Sequence, residues 1–503
     1  MNHSLLRSFS SALGALCLLA TSLGATWSIV AVNTRTGEVC VASATCIARA
    51  DLTLVVPVIV VGKGGGVTQS VLDRGENRLR IRDGFLAGDT PEVILALIES
   101  LDGGFRQRQI GIVDFSHDPV TFTGSGAGGA KKGVVGRVGD VVYAIQGNVL
   151  TGRTVVDECR DALRTSTGDL GQRVLAAMVR AREFGGDGRC SCTLGAPDSC
   201  GAPPADFEKS AHCGFLQLAR MGDQDGTCTY AEGCSNGSYY LDLNIKGRNA
   251  FENDPDPVDQ LVQRYATWRA NRAGRPDGIL STVEAVDSLP ADGVTEREVR
   301  VRLVDIDGHP LDHGGADVQV TTLDGLPPLS EIGPVVDRGD GTYSFSLRAG
   351  KQVGTGRLVI TAEDALVRAT LYPYLELRSD PPKVLHAGLD RVSAGAQVEV
   401  PFVVQDGERP RAKYWLVARL SSSGKTRGSG FDPYLLRFVV PARTPFFPGP
   451  PGVLDSRGRS EVAYRVPAGV LLPLIGMRLD WTARIFGRGA PVESNTVGFE
   501  IGG

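Results

Sequence analysis

The chain changes its sequence pattern near residue 279, and this break limits the possible folds more than any other feature. Before it, strand-like runs alternate with stretches of helical periodicity. One such helix begins after Thr90 and Pro91, a cap and a first-turn residue. Its apolar residues at helical spacing are Val93, Ile94, Leu97, Ile98 and Leu101. After the break, short strand-like runs follow one another about every ten residues, separated by turn signals such as Asp307 and Gly308.

These two patterns predict separate domains, and a length of 503 residues is enough for three hydrophobic cores. We predict an α+β domain over residues 26–278, in which residues 27–32 and 38–44 form a hairpin. An all-β sandwich should follow over residues 279–378, and a second β-rich domain over residues 382–503. Ser379 to Pro382 is expected to be a linker between these two domains.

Residues 1–25 have the three parts of a secretory signal peptide. A basic start without acidic residues precedes a short apolar run at 12–20, and mostly small residues follow it. A buried N-terminal helix is the alternative. Cleavage after Gly24 leaves Ala25 first, cleavage after Ala25 leaves Thr26 first, and the sequence allows both. No later run reaches the roughly 20 apolar residues of a transmembrane helix. We therefore predict a secreted or periplasmic protein without a transmembrane segment.

The cysteines agree with export. Six of the ten lie between Cys190 and Cys234, in a segment rich in turn residues. In an oxidising compartment such a cluster predicts disulfides, and a structural zinc site built from thiolates is the alternative. Cys17 leaves with the signal peptide, so nine cysteines remain and at least one of them cannot pair internally.

Charge and composition exclude several classes of function. Lys and Arg number 53 against 57 Asp and Glu, so nothing in the bulk charge favours binding to nucleic acid. With only 6 His, a large histidine-based metal centre is disfavoured. The glycine-rich stretch 124–129 is followed by Lys131, Lys132 and Gly133, which lacks the Ser or Thr of a phosphate-binding loop. We predict no cofactor and no metal.

Several short motifs, in a fixed order, resemble a family of bacterial proteins called DUF1028. The matching segments are 26–31 (TWSIVA), 36–39 (TGEV), 66–69 (GVTQ), 108–114 (RQIGIVD), 146–150 (QGNVL), 185–187 (GGD), 209–211 (KSA) and 254–258 (DPDPV). Together they cover residues 26–272, and a Cys-rich insertion at 190–208 departs from the family pattern. The family is classed with the N-terminal-nucleophile (Ntn) hydrolases, so the resemblance implies a four-layer αββα core. Residues 279–378 resemble bacterial immunoglobulin-like modules, and the last region is similar to β-rich C-terminal parts of exported proteins.

The resemblance makes Thr26 the candidate nucleophile. A threonine hydroxyl needs a base to accept its proton, and an α-amino group with a pKa of about 7.7–8.0 can serve. Only the first residue of a chain carries both groups on one Cα, so cleavage after Ala25 would create the pair directly. Without the resemblance, Thr26 is equally well explained as a β-branched residue of a first strand.

Donors for a developing oxyanion are expected among the backbone or side-chain amides of Thr68 and Gln69 and of Gln146, Gly147 and Asn148. Polar residues at strand ends also satisfy turn backbone, which is the alternative. Asp187 is expected either to orient the α-amino group or to cap a turn, and Ser43 and Thr45 to line the same pocket. His117 is predicted to be a turn residue and not a general base. Ser125 lies among glycines but lacks the strand, sharp turn and helix of a nucleophile elbow.

Two functions follow as hypotheses. The first is a secreted Ntn hydrolase that cleaves an amide bond in a small molecule or peptide. The second is a catalytically inactive extracellular protein whose β modules contact a partner on a cell surface.

Overall fold

The computed structural model describes residues 26–192, 199–246, 254–284, 286, 288–291, 293–323, 329–380, 385–388, 391–393, 395–406, 411–422, 436–440, 443–444, 447–448, 452–466, 468–469, 471, 477–486 and 492–503. The predicted signal peptide, residues 1–25, lies outside these ranges. The chain divides into two units between Asn271 and Arg272. No helix within the described ranges has both the length and the apolar character that crossing a bilayer requires.

The described residues of the first unit form ten strands in two antiparallel sheets. The strands are β1 Thr26–Asn33, β2 Glu38–Thr45, β3 Pro57–Val60, β4 Gly64–Ser70, β5 Arg108–Asp114, β6 Val120–Thr123, β7 Lys132–Val138, β8 Val141–Asn148, β9 Cys213–Ala219 and β10 Leu241–Ile245. One sheet has the order β10-β9-β2-β1-β8-β7, and the other has the order β3-β4-β5-β6. The predicted hairpin is β1 and β2, which turn at Gly37 with a φ of 70°.

Within the same described part of the chain, six α-helices accompany the two sheets. They are α1 Glu76–Ala87, α2 Pro91–Leu101, α3 Thr154–Thr165, α4 Leu170–Glu183, the short α5 Gly188–Ser191 and α6 Pro257–Ala270. Thr90 caps α2 as predicted, because its hydroxyl accepts the Val93 N–H at 3.3 Å. Asp169 and Gln172 form a reciprocal capping box at the start of α4.

Three hydrophobic clusters show how these elements pack. The largest lies between α3, α4, α6 and one face of the six-stranded sheet. A second lies between the two sheets, and a third between the four-stranded sheet and α1 and α2. The sheets approach closely at Gly65, where an added Cβ would lie 2.8 Å from Val39 and 3.0 Å from Val30. The prediction of mixed helices and strands in this region is confirmed.

The second unit is β-rich. Its strands are β11 Thr282–Val283, β12 Leu289–Pro290, β13 Glu296–Arg302, β14 Asp317–Thr322, β15 Ser330–Ile332, β16 Val336–Asp337, β17 Thr342–Ala349, β18 Gly354–Glu363, β19 Arg368–Thr370, β20 Leu375–Asp380, β21 Leu385–Ala387, β22 Arg391–Ser393, β23 Val398–Gln405, β24 Lys413–Ser422, β25 Leu436–Val440, β26 Arg443–Thr444, β27 Phe447–Pro448, β28 Arg459–Val466, β29 Met477–Phe486 and β30 Val492–Gly502. One hydrophobic cluster draws on residues 289–377 and another on residues 392–501, consistent with two β-rich parts. Of the predicted linker, Ser379 and Asp380 instead pair with neighbouring strands as part of β20, and Pro381 and Pro382 lie outside the described residues.

A buried ion pair joins the end of α2 to β5. Asp102 accepts hydrogen bonds from Arg108 Nε at 2.9 Å and from Asn77 Nδ2 at 2.7 Å. Burial alone would raise the pKa of Asp102, but these bonds and that from the Gly104 N–H lower it from its usual 3.8 to about 2. A lowered folded-state pKa stabilises the fold above pH 4, and this contribution is lost as the pH falls towards 2.

We therefore expect Asp102→Asn to lower the free energy of unfolding at pH 7 by roughly 2 kcal/mol or more. Asp140→Asn is the matched control, because Asp140 pairs with Arg35 on the exposed surface, where ion pairs contribute little. Urea titrations of the parent and the two variants at pH 7 and pH 3 measure these free energies. The difference in the free energy of unfolding between Asp102→Asn and the parent should be smaller at pH 3 than at pH 7. An equal difference at both pH values contradicts the lowered pKa of Asp102.

Candidate active site at the start of the first strand

Thr26 lies at the first position of β1, in the middle of the six-stranded sheet. Its hydroxyl donates to Thr45 Oγ1 at 3.3 Å, and Thr45 is the last residue of β2. Its carbonyl oxygen accepts a hydrogen bond from Gln69 Nε2 at 2.9 Å. In the full chain, where Ala25 still precedes it, Thr26 is 3% exposed. The two sheets therefore fix both the side chain and the backbone of this residue.

Gln69 holds Thr26 from the other sheet. Its amide nitrogen also donates to Gln109 Oε1 at 2.9 Å, and its carbonyl oxygen accepts from the Ser28 hydroxyl. Both amide hydrogens thus have acceptors in the protein, which is the arrangement of a positioning group and not of an oxyanion donor. Thr68 precedes Gln69 in β4, and successive side chains of a strand point to opposite faces. The Thr68 side chain therefore points away from Thr26, and its backbone N–H donates to the Val56 carbonyl oxygen at 3.0 Å, so the amide expected at Thr68 is already used within the protein.

Asn148 does lie beside Thr26. The two residues are opposite each other in the pairing of β1 with β8, and Asn148 is fully buried. Its amide nitrogen donates to Ser70 Oγ at 3.3 Å. Around it, Ser70, Val149 and Ala130 have positive φ values of 80°, 50° and 38°, which non-glycine residues rarely adopt. Strained backbone of this kind concentrates at functional sites, and no sequence motif indicates it.

Asp187 is buried, and it caps α5. One carboxylate oxygen accepts the Arg189 N–H at 3.0 Å, and the other accepts the Cys46 N–H at 2.7 Å. The Arg189 guanidinium donates to the same oxygens at 3.1 and 2.8 Å. Of the two roles expected for Asp187, the structure favours the cap.

Arg189 also belongs to this site, although no sequence motif indicates it. Its guanidinium donates to Thr45 Oγ1 at 3.4 Å, so Thr45 connects it to the Thr26 hydroxyl. A disulfide between Cys46 and Cys190 fastens α5 to the end of β2 and holds this contact in place. No sequence signal gives that pairing, because 144 residues separate the two cysteines.

The family-like motifs around residues 187, 210 and 256 converge behind this loop. The Asp187 N–H donates to the Ser210 carbonyl at 3.0 Å, and Ser210 donates twice to Asp256 Oδ2, at 2.6 and 2.8 Å. Burial raises the pKa of Asp256, although these bonds oppose the shift. Gly186 has a φ of 55°, and a Cβ there would lie 2.5 Å from the Trp27 ring. Only glycine fits at that position without displacing β1.

The remaining sequence candidates take structural roles. The Ser43 hydroxyl donates to the Trp27 carbonyl at 2.8 Å. His117 is in a turn, as predicted, with its ring nitrogen 2.6 Å from Asp114. Ser125 is exposed in the turn after β6, away from any strand-to-helix elbow.

Disulfides account for the cysteine-rich segment. The pairs are Cys46–Cys190, Cys192–Cys200 and Cys228–Cys234. Cys40, Cys159 and Cys213 are buried and lie outside these pairs. His212 is close to Cys46 and Cys190, but a disulfide offers no thiolate ligands, so the zinc alternative is not favoured there. Burial is the main cause that lowers the pKa of His212, and the positive charges of Lys209 and Arg189 act in the same direction.

Comparisons with known proteins find a family match in each of two regions of the chain. Residues 26–195 match the model of a family of unknown function, DUF1028, and residues 279–371 match domain 3 of invasin. No curated protein matches the sequence. This is a chain in which a mixed helix and strand domain precedes β-rich modules.

Among solved structures, protein SPO2555 from Silicibacter pomeroyi, a DUF1028 protein, is 19% identical, with 48% of this chain and 88% of that chain covered and a TM-score of 0.35. The Yersinia pseudotuberculosis adhesin InvE is 17% identical, with coverages of 44% and 59% and a TM-score of 0.20. The Escherichia coli adhesin FdeC is 12% identical, with coverages of 58% and 74% and a TM-score of 0.20. The family match confirms the resemblance to DUF1028 over residues 26–195, and β-rich modules follow this domain.

Proposed function

We propose that this protein is an exported Ntn-type hydrolase that cleaves an amide bond, with Thr26 as its nucleophile once residues 1–25 are removed. The observation that carries the proposal is the position of Thr26 at the tip of a central strand, with its hydroxyl bonded to Thr45. The packing of helices on the outer faces of two sheets supports the αββα core that the proposal requires. The disulfides are consistent with an extracellular or periplasmic location.

The proposed reaction begins when the Thr26 hydroxyl attacks the substrate's carbonyl carbon. The free α-amine of the same residue accepts the hydroxyl proton and passes it to the leaving nitrogen as the amide bond breaks. The acyl group is then bonded to Thr26 Oγ1 as an ester, which water hydrolyses to a carboxylic acid and the free hydroxyl. The Asn148 amide, opposite Thr26, is the side chain proposed to donate to the oxyanion. Gln69 is proposed as a positioning residue, because its hydrogen bonds are already used within the protein.

Thr45 and Arg189 are proposed to set the direction of the nucleophile. Thr45 is bonded to both the Thr26 hydroxyl and the Arg189 guanidinium, and Asp187 balances the charge of Arg189. A hydroxyl held this way has few available rotamers, which favours attack along one direction.

The N-terminus of the exported protein is the decisive test. Intact-mass and peptide mass spectrometry of protein collected from the periplasm or medium should find Thr26 as the first residue. An N-terminus at Ala25, with no later trimming, would exclude the amine of Thr26 as the base, because that nitrogen would remain an amide.

A second function, surface binding by the β modules, is favoured by the match of residues 279–371 to invasin domain 3. In that case the first unit would be an inactive scaffold. Binding of the intact chain to bacterial or host cells, unchanged by Thr26→Ala and lost when residues 279–503 are removed, supports this role.

A further inference from the structure

Ser70 ends β4 in a backbone conformation that serine rarely adopts. Its φ is 80°, and the residue is 2% exposed. Successive side chains of a strand alternate between its two faces, so a regular strand would direct Ser70 opposite to Gln69 and away from the six-stranded sheet. Rotation about φ changes the direction of the Cα–Cβ bond, and the Ser70 hydroxyl instead meets the Asn148 amide of that sheet at 3.3 Å. The left-handed conformation therefore brings this hydroxyl to Asn148.

The Ser70 hydroxyl determines which atom of the Asn148 amide faces it. A hydroxyl has one hydrogen, and Ser70 donates it to the Ala127 carbonyl oxygen at 3.3 Å. Because that carbonyl can only accept, the hydroxyl presents a lone pair to Asn148 and accepts from its Nδ2. If the amide oxygen of Asn148 were turned towards it, the hydroxyl would face two acceptors with a single hydrogen. Ser70 therefore fixes the orientation of the Asn148 amide.

The loop after β6 holds the other end of these hydrogen bonds. Ala127 is fully buried, and its N–H donates to the Gly124 carbonyl at 3.2 Å. The Gly126 N–H donates to the Arg106 carbonyl at 2.7 Å, which ties the loop to the residues before β5. Hydrogen bonds that follow one another in a buried chain polarise each other. The Asn148 amide is thus held by a chain of groups that the fold itself keeps in place.

The end of β4 connects the two parts of the proposed catalytic site. Gln69 donates to the Thr26 carbonyl at 2.9 Å, and the next residue, Ser70, accepts from Asn148. Asn148 lies opposite Thr26 in the pairing of β1 with β8. Its Nδ2 carries two hydrogens in a planar group, so fixing the direction of one fixes that of the other. Two successive residues therefore set the backbone of the nucleophile and the direction of the amide beside it.

We propose that Ser70 is a positioning residue for the oxyanion donor, and that its left-handed backbone serves this role. The inference rests on the proposed function, because it takes Asn148 as the group that donates to the oxyanion. Backbone strain at a buried residue beside a reaction centre is typical of a pre-organised site. A donor that is held in advance does not have to reorient when negative charge develops, and it therefore stabilises the transition state more strongly.

Two variants of Ser70 separate this role from a structural one. Ser70→Gly and Ser70→Ala both remove the hydroxyl, but glycine adopts a positive φ without strain and alanine does not. Ser70→Gly should therefore unfold at a higher urea concentration than Ser70→Ala, while the two variants lose activity equally. Ser235→Ala is the matched control, because Ser235 is an equally buried serine that donates to the Thr53 carbonyl at 3.2 Å. It should lower stability and leave activity unchanged.

Covalent labelling of the mature protein by an epoxyketone measures this activity. The Thr26 hydroxyl adds to the ketone carbon, and negative charge develops on the ketone oxygen. Both Ser70 variants should lower the maximal labelling rate by about 10-fold or more and leave the half-saturating probe concentration unchanged, because the oxyanion forms only during the reaction. Labelling rates that follow the stabilities of the two variants, or that equal the parental rate, overturn the role of Ser70.

An Asn148→Ala background tests whether Ser70 acts through Asn148. Asn148→Ala alone should lower the maximal labelling rate by about 100-fold or more, and adding Ser70→Gly should change it no further. A further loss as large as that of Ser70→Gly in the parent overturns the proposal. If the mature parent takes up no label, the proposed hydrolase fails and the role of Ser70 fails with it. A labelled parent with unaffected Ser70 variants contradicts the role of Ser70 alone.

Discussion

A Thr26→Ala variant that is exported and cleaved like the parent is expected to lose amide hydrolysis by on the order of 10³-fold or more. The variant keeps the α-amine and the strand but has no hydroxyl to attack the carbonyl carbon. Thr26→Ser should retain measurable turnover, because serine supplies the same hydroxyl without the methyl group that stiffens χ1. A panel of chromogenic acyl amides measures all three proteins. Equal turnover by Thr26→Ala removes Thr26 from the mechanism.

A chemical probe gives the same test without a known substrate. An epoxyketone can form a ring with an N-terminal threonine, since the hydroxyl attacks its ketone and the amine opens its epoxide. Mass spectrometry should place the added mass on Thr26 in the mature protein, and Thr26→Ala should show none. A chain that starts at Ala25 is the matched control, because it has the hydroxyl but no amine on the same carbon. Labelling of that control, or no labelling of the mature protein, contradicts the proposed pair.

Local sequence signals predict an element correctly where residues close together in the sequence determine its structure. The hairpin of β1 and β2 and the cap of α2 at Thr90 are of this kind. Helix α1 was missed because its buried face includes polar residues: Asn77 bonds to Asp102, and Arg78 donates to the Leu54 carbonyl. Helix α3 begins after Arg153, which gives no side-chain cap, so its start carried no signal.

The candidate site depends on contacts that sequence spacing does not contain. Asn148 meets Thr26 through the register of β8, although more than a hundred residues separate them. Thr68 and Gln69 are equivalent candidates in the sequence motif. Because successive side chains of a strand point to opposite faces, the Gln69 side chain points towards Thr26 and that of Thr68 points away. The disulfide between Cys46 and Cys190 holds Arg189 beside Thr45, and disulfide connectivity cannot be deduced from cysteine positions.

That disulfide leads to the prediction with the largest expected effect on stability. Replacing Cys46 and Cys190 by alanine opens a loop closed over 144 residues. Because the unfolded chain then gains conformational entropy, the free energy of unfolding should fall by about 5 kcal/mol. Replacing Cys228 and Cys234 is the matched control. That pair closes only 6 residues, and its loss should cost about 2 kcal/mol. Urea unfolding of the exported proteins measures the difference.

The same two variants separate stability from the organisation of the site. Of these two disulfides, Cys46–Cys190 is the one that joins the Arg189 loop to the end of β2. Its removal, and not that of Cys228–Cys234, should therefore slow epoxyketone labelling of Thr26 under conditions where both variants are folded. Since Arg189 would then be free to leave Thr45, the Thr26 hydroxyl would lose the bond network that orients it, while its amine would be unchanged. Parental labelling rates in both variants would mean that the loop contributes to stability alone, and that Arg189 has no part in positioning the nucleophile.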